Sequence, residues 1–173
     1  SPNFIRTPSI QDNYEQALYL TQGVRALPGF DVPHSDFILS FGSGLIEGWQ
    51  SPVYMIKSKS ALKQNGGRME QIEPRLSKTA AKSDRWIAVK PGTEGAMALG
   101  IANVIINEGL YHTDFVENYS ACFVEWKKIV VDGFSPSTVS KITGSEVATI
   151  ASLAREFAKA RRPLAICGRG AGT

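Results

Sequence analysis

Hydrophobic positions change period along this chain, and each change marks an element. Across residues 12–23, Tyr14, Ala17, Leu18 and Thr21 share one helical face, and Gly23 supplies a stop. Pro28, Gly29 and Pro33 then break the chain. Asp36-Phe37-Ile38-Leu39-Ser40-Phe41 is a short continuous apolar run between turn residues, which predicts a strand buried on both faces, the habit of a parallel sheet. Gly42-Ser43-Gly44 ends it. Residues 52–63 predict a helix closed by Asn65-Gly66-Gly67. Residues 69–72 predict a weaker second strand ending at Glu73-Pro74-Arg75, and residues 86–89 a third, stopped by Pro91-Gly92. Thr93 is placed to cap the next helix, with Glu94 in its first turn, where an acid complements the helix dipole. That helix, residues 94–108, is apolar almost all round and must be covered on most sides. Gly109 sits where a helix-ending glycine belongs. Residues 113–118 and 123–131 predict short helices. Thr143-x-x-Glu146 has the form of a capping box, opening a helix with Val147, Ile150, Ala151, Ala154, Phe157 and Ala158 on one stripe. Arg161-Arg162-Pro163 ends it, and residues 164–167 form a fourth strand running into glycine.

Strands alternating with long helices predict an α/β fold: a three-layer sandwich, its mostly parallel, Rossmann-like sheet flanked by helices. A length of 173 residues with 43% hydrophobic content suits a single domain over residues 1–173 and rules out a disordered chain. Two cysteines rule out a disulfide scaffold. Cys122 and Cys167 sit in apolar surroundings and read as buried structural thiols. A net charge of +3 is too small to imply a nucleic-acid partner, and Lys57, Lys59, Lys63 and Arg68 read as a solvated helix end and turn. No apolar run is long enough to span a membrane, and Ser1-Pro2-Asn3-Phe4 carries no signal-segment pattern. The missing initiator Met and the glycine-rich final run are the expected marks of a piece of a larger protein.

Open α/β sheets bind ligands beyond the carboxyl ends of their strands, so the chemistry is sought there. Gly42-Ser43-Gly44-Leu45-Ile46-Glu47-Gly48 follows the first strand, and glycines let backbone amides approach a phosphate closely. The spacing misses the dinucleotide fingerprint by one residue, and a plain tight turn explains it equally well. Glu73-Pro74-Arg75 follows the second strand. The acid is placed to accept ribose hydroxyls and the Arg to pair with phosphate, while a surface salt bridge is the plainer alternative. Pro91-Gly92-Thr93-Glu94 follows the third, where a carboxylate reads a guanine edge or simply favours the helix start. Gly168-Arg169-Gly170 marks the fourth end. Together these ends describe a pocket for a nucleotide-bearing cofactor. His34 and His112 read as surface or capping residues, and no nucleophile elbow, phosphate-binding P-loop or zinc motif is present.

In order, Asp36 through Gly44, Glu73-Pro74-Arg75-Leu76-Ser77-Lys78-Thr79-Ala80, Ser83-Asp84 and Pro91-Gly92-Thr93-Glu94-Gly95-Ala96 resemble the molybdopterin oxidoreductases of the dimethyl sulfoxide reductase type. Ile105 through Tyr111, Asp114-Phe115-Val116, Ile142-Thr143-Gly144 and Gly168-Arg169-Gly170 extend the resemblance over nearly the whole chain. The resemblance implies a bis-molybdopterin guanine dinucleotide cofactor carrying molybdenum or tungsten. By family likeness, the loop with Phe41, Gly42, Ser43, Gly44 and Glu47 wraps its phosphates. Glu73, Pro74, Arg75 and Ser77 contact a guanosine arm, and Gly92, Thr93 and Glu94 complete that contact. Gly168, Arg169 and Thr173 approach the pterin. The implied enzyme performs two-electron chemistry on a small substrate of the formate, sulfur oxyanion or arsenic class.

Departures from the family pattern shape the rest. Where the family commonly has an Asn near Gly44, a His-Pro and two Asp residues, this chain has none near Gly44, Ser51-Pro52, Glu73 and Glu94. The segment expected to supply a metal ligand reads Arg6-Thr7-Pro8-Ser9-Ile10-Gln11-Asp12, without cysteine. Ser9 is the first ligand candidate and Asp12 the next, although either also suits a helix cap. The resemblance further implies an upstream iron–sulfur cluster, the rest of a catalytic subunit, an iron–sulfur electron-transfer subunit and a membrane anchor, in a periplasmic or membrane-associated setting. Two rivals stand: a non-catalytic scaffold or cofactor carrier derived from the family, and a different nucleotide-binding α/β enzyme.

Overall fold

The computed structural model describes Asn3 and residues 9–168. Two compact units arise, residues 1–31 and 32–173, and the whole sheet belongs to the second. In the first unit, α1 (Ile10–Gln22) starts at Ser9 and ends at Gly23, whose left-handed φ of 72° closes the last turn. Tyr14 meets Phe30 edge-on at 5.7 Å between ring centres.

The second unit holds β1 (Phe37–Phe41), α2 (Pro52–Gln64), β2 (Arg68–Ile72), α3 (Lys78–Lys82), β3 (Arg85–Ile87), α4 (Glu94–Asn107), α5 (Thr113–Tyr119), α6 (Phe123–Gly133), α7 (Pro136–Thr143), α8 (Val147–Lys159) and β4 (Pro163–Cys167). All strand pairs are parallel, in the order β3-β2-β1-β4. The chain leaves β1 toward β2 and β3, then returns to lay β4 on the other side of β1. The β1–β4 boundary is therefore the point where strand order reverses. Every residue of β1 is buried, as its apolar run predicts for a central strand.

The register explains the layers. Phe37, Leu39 and Phe41 share a face with Ile72 and Ile87, and that face packs on Met97, Ile101 and Val104 of α4, Val139 of α7, and Ile150, Leu153 and Ala154 of α8. The nearly all-apolar α4 is thus covered by sheet and helices. Gly100 makes its contact with α7 possible, because a Cβ there would lie 2.9 Å from Val139 Cγ1. The opposite face carries Ile38, Ser40, Met69 and Gln71, and right-handed crossovers place α2 and α3 on that side.

Polar contacts fix α8 and the strand starts. Glu156 of α8 pairs with Arg68 at 2.9 Å and Arg85 at 3.3 Å, and Arg85 Nε also donates to buried Glu70 at 2.8 Å. Burial raises the Glu70 pKa, even though Arg85 works against that shift. Asp36 accepts from the Arg161 and Arg162 amides at 2.8 and 2.9 Å, while its carbonyl accepts from Arg68 N at 3.0 Å. One residue therefore aligns the starts of β1, β2 and β4.

Several sequence expectations need correction. Thr143 does not open a capping box: it ends α7, donating to Val139 O at 2.8 Å and accepting from Ser145 N at 3.1 Å. The start of α8 is at Glu146, with no side-chain cap bond. Thr93 occupies the predicted cap position, but its hydroxyl turns back to Lys90 O at 2.6 Å. The third strand spans Arg85–Ile87, and α3 and α7 were not anticipated. Cys122 and Cys167 are exposed rather than buried. Cys122 starts α6 with a left-handed φ of 58°, and Cys167 lies at the end of an edge strand. His112 caps α5 as expected, its Nδ1 accepting from Phe115 N at 3.3 Å.

Candidate functional site at the carboxyl edge of the sheet

Four parallel strands place Phe41, Ile72, Ile87 and Cys167 at one edge. The loops singled out in the sequence all leave from that edge.

Residues 42–49 are the most firmly held. Gly42, at φ 65°, donates its amide to Ile72 O at 2.9 Å. The Ser43 hydroxyl meets the Ser40 hydroxyl at 2.5 Å, and Ser43 O accepts from Gln71 Nε2 at 3.0 Å. Gly44 O accepts from Glu47 N at 2.8 Å and Trp49 N at 3.3 Å, while Leu45 and Trp49 bury their side chains. Glu47 is exposed, yet its carboxylate accepts from Thr79 N at 3.3 Å and Thr79 Oγ1 at 3.1 Å. Partial burial opposes its ionisation, but the Thr79 and Lys78 amides and nearby hydroxyls outweigh this and hold the pKa below the ordinary carboxylate value. Glu47 thus ties the β1 loop to the start of α3.

The β4 end closes over this loop. Gly168 N donates to Phe41 O at 2.8 Å. A Cβ at Gly168 would overlap Ser43 Cα and N, so the two backbones cross at a separation only glycine allows. Arg169 and Thr173 lie outside the described residues.

After β2, Glu73 is buried and its Oε1 accepts from Ser77 Oγ, which also accepts from Ala80 N at 3.0 Å to cap α3. The Trp86 indole donates to Glu73 O at 3.0 Å, while Pro74 and Arg75 are exposed. After β3, Gly92 takes φ 77° in an exposed turn, and Glu94 in the first turn of α4 is partly exposed. Lys90 fastens this turn to α7 through Thr143 O at 2.9 Å and Lys141 O at 3.2 Å.

Ser9 belongs to the first unit. Its hydroxyl accepts from Asp12 N at 3.3 Å and donates to Asp12 Oδ2 at 3.0 Å, in a two-way cap that occupies both metal-ligand candidates. Among the described residues no group of three or more His, Cys, Asp or Glu side chains is arranged to hold a metal ion. An open groove of about 260 Å³ runs past Arg85, Trp86, Ile87, Ala88, Ser145, Glu146 and Thr149, and none of the predicted cofactor residues lines it.

Sequence reasoning missed Ser40, Gln71, Thr79 and Trp86, which hold the strand-end loops from below and beside. Polar Ser40 and Gln71 inside apolar strands were the available signal, because buried polar groups occur where they have partners.

These strand ends suit a large group bearing phosphate and nucleoside. Partly exposed backbone stands at Gly42 and Gly168, a carboxylate is held at Glu73, and an exposed guanidinium stands at Arg75. The family model described as "Molybdopterin oxidoreductase" matches residues 5–172. The menaquinone reductase molybdopterin-binding-like subunit of Nitratidesulfovibrio vulgaris is 32% identical, over 83% of this chain and 21% of its own. The arsenate respiratory reductase molybdopterin-containing subunit of Shewanella sp. is 29% identical, over 92% of this chain and 21% of its own. Among solved structures, acetylene hydratase from Pelobacter acetylenicus superimposes with a TM-score of 0.68 and 31% identity, over 76% of this chain and 18% of that one. The chain thus spans about a fifth of the length of these relatives. Its sheet, its strand-end loops and this match together establish that the chain belongs to the molybdopterin oxidoreductase family.

Proposed function

We propose that this chain binds the guanine dinucleotide arm of a bis-molybdopterin guanine dinucleotide cofactor carrying molybdenum or tungsten. It would serve as the cofactor-holding region of a catalytic subunit. The observation that carries this is the reversal of strand order between β1 and β4, with Ser43 and Gly168 crossing at its mouth. When bound, the cofactor would supply two-electron chemistry for a small substrate of the formate, sulfur oxyanion or arsenic class.

The chain's own residues bind and orient. Phe41, Gly42, Ser43, Gly44 and Glu47 form the backbone cradle for phosphate in this reading, and Gly168 borders it on the side that the family likeness assigns, with Arg169 and Thr173, to the pterin. Glu73, held by Ser77 beside Pro74, is set to accept hydroxyls of a guanosine arm, and exposed Arg75 offers a charged fork for phosphate. Gly92, Thr93 and Glu94 complete the guanine contact from the partly exposed start of α4. Ser9 is the proposed protein ligand to the metal, and ligation would exchange its cap bonds with Asp12. An iron–sulfur cluster, the remainder of the catalytic subunit, an iron–sulfur subunit and a membrane anchor complete the proposed assembly, in a periplasmic or membrane-associated setting.

A second reading, a non-catalytic scaffold, is favoured by one relative's description as molybdopterin-binding-like. Acid extraction of the full-length protein, followed by metal analysis, separates the two. Release of oxidised pterin and GMP with bound molybdenum or tungsten is expected. Pterin without metal would support the scaffold, and a nicotinamide or flavin would overturn both.

A further inference from the structure

We propose that Gln71 is the positioning residue of the cofactor loop, holding residues 42–49 in their binding shape before any cofactor arrives. The inference rests on the proposed function and deepens it. Gln71 is fully buried within β2, opposite Ser40 of β1 and Trp86 of β3 in the parallel register. Its Nε2 reaches across to Ser43 O at 3.0 Å, while its Oε1 is buried with no hydrogen-bond partner among the described residues. A strand position in a sheet interior is most cheaply filled by an apolar side chain, and a buried amide with an orphaned acceptor is a burden on folding. In stability the bond to buried Ser43 O and the orphaned Oε1 offset each other, so what sets Gln71 apart from an apolar residue is its contact with the loop.

Ser43 is held on three sides. Gln71 fixes its carbonyl, Ser40 fixes its hydroxyl, and Gly168 passes over its Cα and N. A cofactor that meets a loop already fixed gives up less free energy to ordering, so preorganisation appears as affinity. Removing the amide should therefore weaken retention of the cofactor while leaving the fold intact or firmer. A side chain serving only the fold would move both quantities the same way.

The test compares full-length wild type with Gln71→Met, which keeps the length and apolar bulk, and with Gln71→Asn, which keeps the amide but falls short of Ser43. Two quantities are read: thermal stability of the cofactor-free protein, and the pterin and GMP retained after dialysis. Gln71→Met should melt at the wild-type temperature or above and retain about tenfold less cofactor, the scale of one lost positioning hydrogen bond. Gln71→Asn should also lose retention. Wild-type retention in Gln71→Met, or a parallel fall in melting temperature and retention, overturns the proposal. Should neither variant fold, hydrogen exchange of cofactor-free wild type decides: slow exchange of the 42–49 amides upholds the prearranged loop, and exchange as fast as that of the exposed Gly92 amide overturns it. Absence of pterin and GMP from wild type itself would instead overturn the proposed function.

Discussion

Between Gly42 and Trp49 the chain is held by Ile72 O, Gln71, Ser40, Thr79 and the crossing of Gly168. Between Lys90 and Glu94, on the same sheet edge, the exposed Pro91-Gly92 tip is carried on bonds from Thr93 to Lys90 and from Lys90 to α7. The first loop draws its shape from three strands and a helix. The second draws its shape mainly from its own turn. A cradle for phosphate gains from being rigid, because each backbone amide must stand in place beforehand. In its proposed role at a base edge, Glu94 needs only a firm anchor, and the first turn of α4 supplies one.

The comparison breaks most sharply at Gly168. Gly168→Ala drives a methyl group into Ser43, and overpacking of this kind costs about 3 kcal/mol. Urea unfolding should show the loss, and the cofactor content of the full-length protein should fall with it. Wild-type stability in this variant would disprove the close crossing. A smaller break is Glu47→Ala, which frees the β1 loop from α3 and should cost about 1 kcal/mol, as lost helix-start acceptors do.

Acid sharpens the same contrast. The Glu47 and Asp36 carboxyls are both held below their ordinary values: burial opposes this, and backbone amides outweigh it. Their stabilisation is complete above the unfolded carboxylate range and is lost as pH falls through the lower folded values, below about pH 4. Glu70 runs the other way. Its raised pKa means that its contribution declines as pH climbs through the folded value. Glu70→Gln should therefore flatten the part of a thermal-melting stability profile that lies just above the ordinary carboxylate range and leave the part below it unchanged. The smallest effect on the fold is expected from Glu94→Ala. Its unfolding free energy from urea titration should stay within about 0.5 kcal/mol of wild type, while guanine dinucleotide retention falls. Unchanged retention would remove Glu94 from the pocket.

Much of the fold was legible because its signals were local. The apolar run of β1, the all-apolar α4 and the glycines at 23 and 109 each state their role within a few residues. Strand ends were legible because turn residues follow each strand. What stayed hidden depends on distant partners. Thr143 and Glu146 have the spacing of a capping box, but Thr143 is already held by the last turn of α7. The two cysteines have apolar neighbours in sequence, yet one heads a helix and the other ends an edge strand, so both meet solvent. The five-residue α3 carries no hydrophobic period, and its cap hydrogen bonds come from Ser77 and from Glu47 on another loop. At the site, strand-end glycines and acids were readable. The support beneath them was not, because Ser40 and Gln71 declare their purpose only when β1 lies beside β2.

Asp36 bonds to amides 125 and 126 residues further on. During synthesis the first three strands emerge well before β4, and contacts at such separations form late. Until β4 docks, the Asp36 carboxylate lacks the Arg161 and Arg162 amides, and Ser43 has nothing passing over it. The loop at residues 42–49 is then a cradle with one wall missing. Completion of the binding edge is therefore a timed event, tied to arrival of the last strand rather than to the folding of the loop that carries the glycines.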